Sequence, residues 1–249
     1  MKGRLLLSAF ALLFSNVVAN AEDAPPPPAI MESFLCEWQP GKDMDDLMAA
    51  RDNYVKGAAK GGYQTPMAYV WNQYRGTVPI QVIWHSVYPN MANWAEVSDA
   101  GVGNDALNNA LSRFESVIDC TAVLGTVRPL HTREVEPQDS TFVVSRACNV
   151  KDGFTNEDMR DYDGHIAQYF GSLGDKGPIA TYVNQPITAG PGSPDGYLFS
   201  VFKSAAHWNT FINELYTTDA GGQFLRHDRA KVECSLSIWG SQMVVSNEG

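Results

Sequence analysis

Three carboxylates sit beside cysteines in this chain, and paired carboxylates can divide acid and base work when their surroundings split their pKa values. Asp119 precedes Cys120 in "IDCTAVLG", Glu233 precedes Cys234 in "VECSLSIWG", and Glu37 follows Cys36 in "FLCEW". Thr121 and Ser235 supply hydroxyls on the far side of two of these cysteines. Residues that alternate along a strand point to opposite faces. The cysteine face carries Ile118, Cys120, Ala122 and Leu124, and again Val232, Cys234, Leu236 and Ile238. The opposite face carries Asp119 and Thr121 in one stretch and Glu233, Ser235 and Ser237 in the other, with Glu37 and Asn149 on the same side. Glu37, Asp119 and Glu233 are therefore the candidate catalytic bases. A hydrogen-bond network between strands, or plain exposure to water, accounts for them equally.

The histidines are His85, His131, His165, His207 and His227, and they form no metal spacing. His85 lies in the apolar run "VIWHSV", but the matching position later in the chain is Phe199, which reads as packing. The segment "DYDGH", Asp161–His165, lacks the spacing of a calcium loop and reads as part of an acidic helix start. No C-x-x-C pair, nucleophile elbow or phosphate-cradling glycine loop occurs, so no metal and no cofactor are expected from a motif.

The elements that position these residues come in two sets. Cys36 and Cys148 are 112 residues apart, as are Gly41 and Gly153, while Tyr69 and Tyr182 are 113 apart. Trp94 and Trp208 are 114 apart, as are Cys120 and Cys234. Anchors in one order with nearly constant offset argue for an internal repeat. In each copy a strand is followed by a helix, with Leu47, Tyr54 and Ala58 or Met159, Ile166, Phe170 and Leu173 at helical spacing. Asp43 and Thr155 fit N-caps, each with a carboxylate three residues on. Two strands follow ("MAYVWNQY" and "IQVIWHSV", then "IATYVNQ" and "GYLFSVF"), then a second helical region, then the cysteine strand.

The order βαββαβ, twice, predicts an α+β fold of tandem ferredoxin-like units. In that fold the first and last strands are neighbours, so bridges Cys36–Cys120 and Cys148–Cys234 are expected, with bridges between copies as the other possibility. Residues 1–21 read as a secretory signal peptide: Lys2 and Arg4, the apolar run "LLLSAFALLF", then Ala19-Asn20-Ala21. Residues 22–31 form a Pro-rich spacer, 32–127 the first unit, 128–140 a linker, 141–243 the second unit and 244–249 a tail. Cleavage leaves 228 of 249 residues and takes the net charge from −10 to −12. That balance disfavours nucleic acid as a partner, and four cysteines suit an exported, oxidising setting, periplasmic or secreted. No later segment is apolar enough to span a membrane.

On element order, the repeat and the Trp94/Trp208 helix starts, the chain resembles the dimeric α/β-barrel superfamily, which includes antibiotic-biosynthesis monooxygenase-like and stress-responsive barrel proteins. The resemblance covers residues 32–243 and implies that two units in one chain close a pseudo-dimeric barrel, without needing a second copy. It implies an interior lined by Glu37, Asp119, Glu233, Thr121 and Ser235, joined by Tyr69, Trp71, Trp84, Tyr182, Asn184 and Ser200. It also implies that haem, which some members hold through a histidine, would use His85, His207 or His227. The leading expectation is binding of a small organic ligand inside the barrel. A cofactor-independent oxygenase, isomerase or lyase, with an interior carboxylate as base and Tyr69 or Tyr182 as its partner, is the alternative, and a cell-envelope interaction module a third.

Overall fold

The structure is a computed structural model that describes residues 27–246, apart from 63, 77, 78, 137, 139 and 189. The signal-peptide segment and the first half of the Pro-rich spacer, 22–26, lie outside the described residues. The first half comprises β1 (Ala29–Trp38), α1 (Met44–Lys60), β2 (Met67–Arg75), β3 (Val82–Tyr88), α2 (Met91–Gly101), α3 (Asp105–Glu115) and β4 (Ile118–Thr132). The second comprises β5 (Ser140–Val150), α4 (Asn156–Ser172), β6 (Ala180–Pro186), β7 (Gly196–Phe202), α5 (Ala205–Thr217), α6 (Asp219–Lys231) and β8 (Val232–Val245). None of the described helices is long and apolar enough to cross a membrane.

Local chemistry starts the helices where the sequence places them. Asp43 accepts from the backbone N–H groups of Asp45 and Asp46, and Asp46 closes the capping box on α1; Thr155 and Asp158 do the same on α4. Gly41 and Gly153 precede these caps at φ +75° and +91°, a region that residues with a Cβ rarely enter. The second helical region of each half is two helices rather than one.

The strands form one closed barrel in the order β1-β3-β2-β8-β5-β7-β6-β4. Every neighbouring pair is antiparallel, so β1, β2, β5 and β6 run one way and β3, β4, β7 and β8 the other. Each half contributes a four-stranded sheet in the ferredoxin-like order. The sheets join at two seams, β2 with β8 and β4 with β6. Closure explains why β4 and β8 reach 15 and 14 residues. The first part of β4 pairs with β1, and its later part, from Gly125 to Thr132, pairs with β6 of the other half. Arg128–Thr132, read from sequence as the start of a linker, are thus strand, as are Ala29–Met31 and Val244–Val245 at the outer boundaries.

Three apolar layers result. Helices α1 and α3 cover the first sheet over Cys36, Val70, Val82 and Trp84; helices α4, α5 and α6 cover the second over Val144, Leu198 and Phe202. The third layer is the barrel interior, with Met31, Trp71, Ile83, Val143, Phe199 and Trp239. Cys36 lies directly opposite Cys120 and Cys148 opposite Cys234, and both pairs are bridged, with Cα atoms 4.1 Å apart. Each bridge closes a long loop, with sequence separations of 84 and 86. Denaturant unfolding of the oxidised chain is expected to show about 2–5 kcal/mol more stability per bridge than variants with that bridge's cysteines replaced by alanine. An unchanged midpoint would mean that the bridge does not constrain the unfolded chain.

Candidate functional site

The interior is packed at one end and open at the other. Its open part is a cavity of about 500 Å³, reached from the end at which β1 and β5 finish. Strand alternation selects its walls. One wall is aromatic: Trp71 meets Phe199 edge-on at 4.9 Å and His85 at 4.2 Å, and lies 6.3 Å from Trp239. The other is polar, with Ser145, Ser237 and Asn184 inside and Asn149, Ser235 and Glu233 at the mouth. The Trp239 indole donates to Ser145 Oγ at 2.8 Å, which leaves that hydroxyl its own proton to donate.

His85 is the group with chemistry to spare. It is 2% exposed and lines the cavity. Its Nδ1 lies 2.9 Å from Ser33 Oγ on the adjoining strand, while its Nε2 is buried with no hydrogen-bond partner among the described residues. Burial drives its pKa down to about 3, so the ring is neutral. An unpaired buried polar atom costs about 1–3 kcal/mol, a penalty that an incoming hydrogen-bonding group would relieve. Burial also pushes the Tyr69 and Tyr182 phenols well above the ordinary tyrosine range, with each other's proximity adding to the effect on Tyr182. Both remain protonated and belong to the packed end of the interior rather than to the cavity wall.

The residues singled out by sequence divide accordingly. Trp71, Asn184, Ser235 and Glu233 line the cavity. Glu37 and Asp119 face each other across β1 and β4 at the mouth, both exposed, and Thr121 is exposed beside them. Trp84 and Ser200 correct the expectation. Trp84 follows Ile83 onto the opposite face, packs edge-on against Phe114 at 5.1 Å and donates to Ser86 Oγ. Ser200 lies on the helix side with Thr181, 3.4 Å away. Of the haem candidates, His207 sits outside the barrel, accepting from Lys203 N and 2.9 Å from the Asp175 carbonyl, and His227 packs on His165 between α4 and α6. The "DYDGH" segment is helix, not loop. Sequence reasoning passed over Ser33, Ser145, Tyr197, Phe199 and Trp239. Ser33 and Ser145 were within reach, since each stands three residues before a bridged cysteine and so faces the other way.

No family model matches this sequence, and no curated protein does. The likeness to known proteins is structural. A candidate monooxygenase from Fusobacterium nucleatum superposes with a TM-score of 0.58 at 14% identity, over 90% of this chain and 96% of that one. An anthrone oxidase-like protein gives 0.55 at 13%, over 92% and 97%. A DypB variant from Rhodococcus jostii in complex with heme gives 0.50 at 10%, over 90% and 96%. The fold is that of the dimeric α/β barrels, in one chain. At such identities the likeness speaks for architecture, and the chemistry rests on the cavity residues themselves.

The His85 pKa sets a pH dependence. The unfolded chain takes up a proton near pH 6.5 that the folded chain refuses until about pH 3. Stability contributed by the neutral ring is thus complete above about pH 6.5 and is lost as pH falls toward 3. His85→Phe puts in place the residue that the second half carries opposite Ser145. Denaturant midpoints are expected to show wild type losing about 3 kcal/mol more than this variant between neutrality and about pH 4. Equal losses would mean that the ring is protonated inside the fold.

Proposed function

We propose that the barrel interior binds a small, mainly aromatic organic molecule carrying a hydrogen-bonding group, admitted at the mouth formed by the ends of β1 and β5. The observation that carries this reading is the neutral His85 at the wall of the cavity, whose buried Nε2 has no hydrogen-bond partner among the described residues. The cavity volume falls in the range of small-molecule sites, and an apolar wall with a few placed polar groups is their usual make-up. Trp71, Phe199 and Trp239 would stack on or edge a planar ring, His85 would take up its polar group, and Asn184 and Ser237 would set its orientation.

Haem suits these residues poorly. Among the described residues no Lys or Arg lines the cavity to meet the propionates, and Glu233 stands at the rim instead. The heme in the DypB relative therefore is not carried over to this chain.

The names of the monooxygenase and oxidase relatives favour a second reading, turnover of the bound molecule without a held organic cofactor. In that case His85, neutral and enclosed, is placed to accept a proton from the substrate, whereas Glu37 and Asp119 stand in water at the mouth. The two disulfides and the apolar N-terminal run support an exported protein in an oxidising compartment. The matched strand order of the halves supports their origin by duplication, and the self-closed barrel supports a monomer.

Native mass spectrometry of the protein from its own host, repeated after denaturation, tests binding. An organic adduct lost on unfolding is expected. Ser237→Trp, which fills the cavity, should abolish it, and Trp71→Ala should weaken it at least about tenfold, which is about 1.4 kcal/mol. An adduct that survives Ser237→Trp would place the ligand elsewhere.

A further inference from the structure

The two disulfides stand in unlike surroundings, although their strand registers match. Two residues before Cys36 stands Phe34, and two before Cys148 stands Arg146. Six before Cys120 stands Phe114, and six before Cys234 stands Asp228; fourteen after Cys36 stands Ala50, and fourteen after Cys148 stands Tyr162. Where the first half places apolar groups against its bridge, the second places an ion pair of a buried Asp228 and a half-buried Arg146. Arg146 Nη2 donates to Asp228 Oδ2 at 2.6 Å and to Cys234 Sγ at 3.2 Å. The Tyr162 hydroxyl donates to the other Asp228 oxygen. A buried ion pair is often no more stabilising than apolar residues of similar volume, and the first half shows that this fold accepts the apolar alternative. The guanidinium at the sulfur therefore calls for a reason beyond packing.

We infer that Cys148–Cys234 is a thiol–disulfide exchange site whose substrate is a small dithiol, with Arg146 holding the Cys234 thiolate. One thiolate of the dithiol attacks Cys148 Sγ, the sulfur of a half-buried residue. The Cys148–Cys234 bond breaks, and its electron pair leaves on Cys234 Sγ, where Arg146 Nη2 already donates. The second sulfur of the dithiol, deprotonated, then attacks the mixed disulfide and releases Cys148. The dithiol loses two electrons and becomes a cyclic disulfide, the protein bridge gains them, and two protons pass to the cysteines. A neighbouring Arg lowers a thiol's pKa, and a lower leaving-group pKa speeds departure.

The first bridge lacks this device. Cys120 is exposed and can be attacked, but the leaving sulfur would be that of Cys36, 1% exposed among Leu47, Phe34 and Trp38. A thiolate formed there would meet apolar side chains and the Phe34 carbonyl oxygen, 3.2 Å from the sulfur, with no cation among the described contacts to hold it; such surroundings raise a thiol's pKa. Opening the second bridge also has a place to act. It unties the strand ends that carry Asn149, Glu233 and Ser235 at the cavity rim, where Cys234 itself is found.

The test is a time course of the full oxidised protein in dithiothreitol, quenched with iodoacetamide and read peptide by peptide. Cys148 and Cys234 are expected to be alkylated about three- to tenfold faster than Cys36 and Cys120. Arg146→Met should remove that advantage and leave the Cys36–Cys120 rate unchanged. Asp228→Asn, which frees Arg146 from its carboxylate, should speed opening of the second bridge. Should Arg146→Met fail to fold, the pH dependence of Cys234 alkylation in Cys148→Ser gives the same information, with a thiol pKa below about 8.5 expected. Equal rates, earlier opening of Cys36–Cys120, an Asp228→Asn rate at or below wild type, or a Cys234 pKa at or above the free value each overturn the inference.

Discussion

Closure of the barrel is the constraint on which the rest of the molecule depends. A four-stranded ferredoxin-like sheet covered on one side by helices leaves its other face and both edge strands without partners, and exposed edges and apolar faces invite aggregation. Here the two sheets solve the problem for each other. Strands β4 and β8 run past their own sheets and take the free edges β6 and β2 of the opposite half. The backbone groups of both edges are paired, and the two open faces become one interior. Without that overrun there would be two half-buried sheets and no cavity.

An enclosed interior penalises charge, and its composition follows that rule. Its titratable members among the described residues are a neutral histidine and the tyrosines Tyr69, Tyr182 and Tyr197, whose pKa values burial raises, while Glu37, Asp119 and Glu233 stay at the wet end. Departures from twofold likeness shape the space. Opposite Ser33 stands His85, but opposite Ser145 stands Phe199. Trp239 has Gly125 as its counterpart, each five residues after a bridged cysteine. A Cβ at Gly125 would lie 2.4 Å from Asn184 Oδ1, so the glycine is what admits that amide to the interior. The result is one aromatic wall and one polar wall rather than two equal halves. The bridges show the same divergence, with phenylalanines at one and an anchored guanidinium at the other.

Much of the fold was legible because its signals are local. Capping at Asp43 and Thr155 depends on a few adjacent residues, and the alternation around each cysteine assigns the faces of β1, β4, β5 and β8. The middle strands carry no such marker. Nearly every residue of β3 is buried, Val82 through Ser86 without a break, so an apolar run cannot say which side faces the helices. Trp84 and Ser200 were placed inside for that reason. His85 was discounted because Phe199 occupies the matching position, although both rings point inward and differ only in what they offer there.

The sequence by itself determined the strand order of each half and the side of each outer strand on which the acids lie, and it favoured the observed pairing of the cysteines over bridges between the copies. These follow from short-range periodicity and from the adjacency of first and last strands in a βαββαβ unit. Only the tertiary structure decided that the acids stand at the mouth, that His85 is sealed with one nitrogen unpaired, and that Arg146, Asp228 and Tyr162 meet at a disulfide. Depth along a barrel and proximity across helices depend on closure and shear, which bring together residues tens of positions apart. No local pattern encodes that distance.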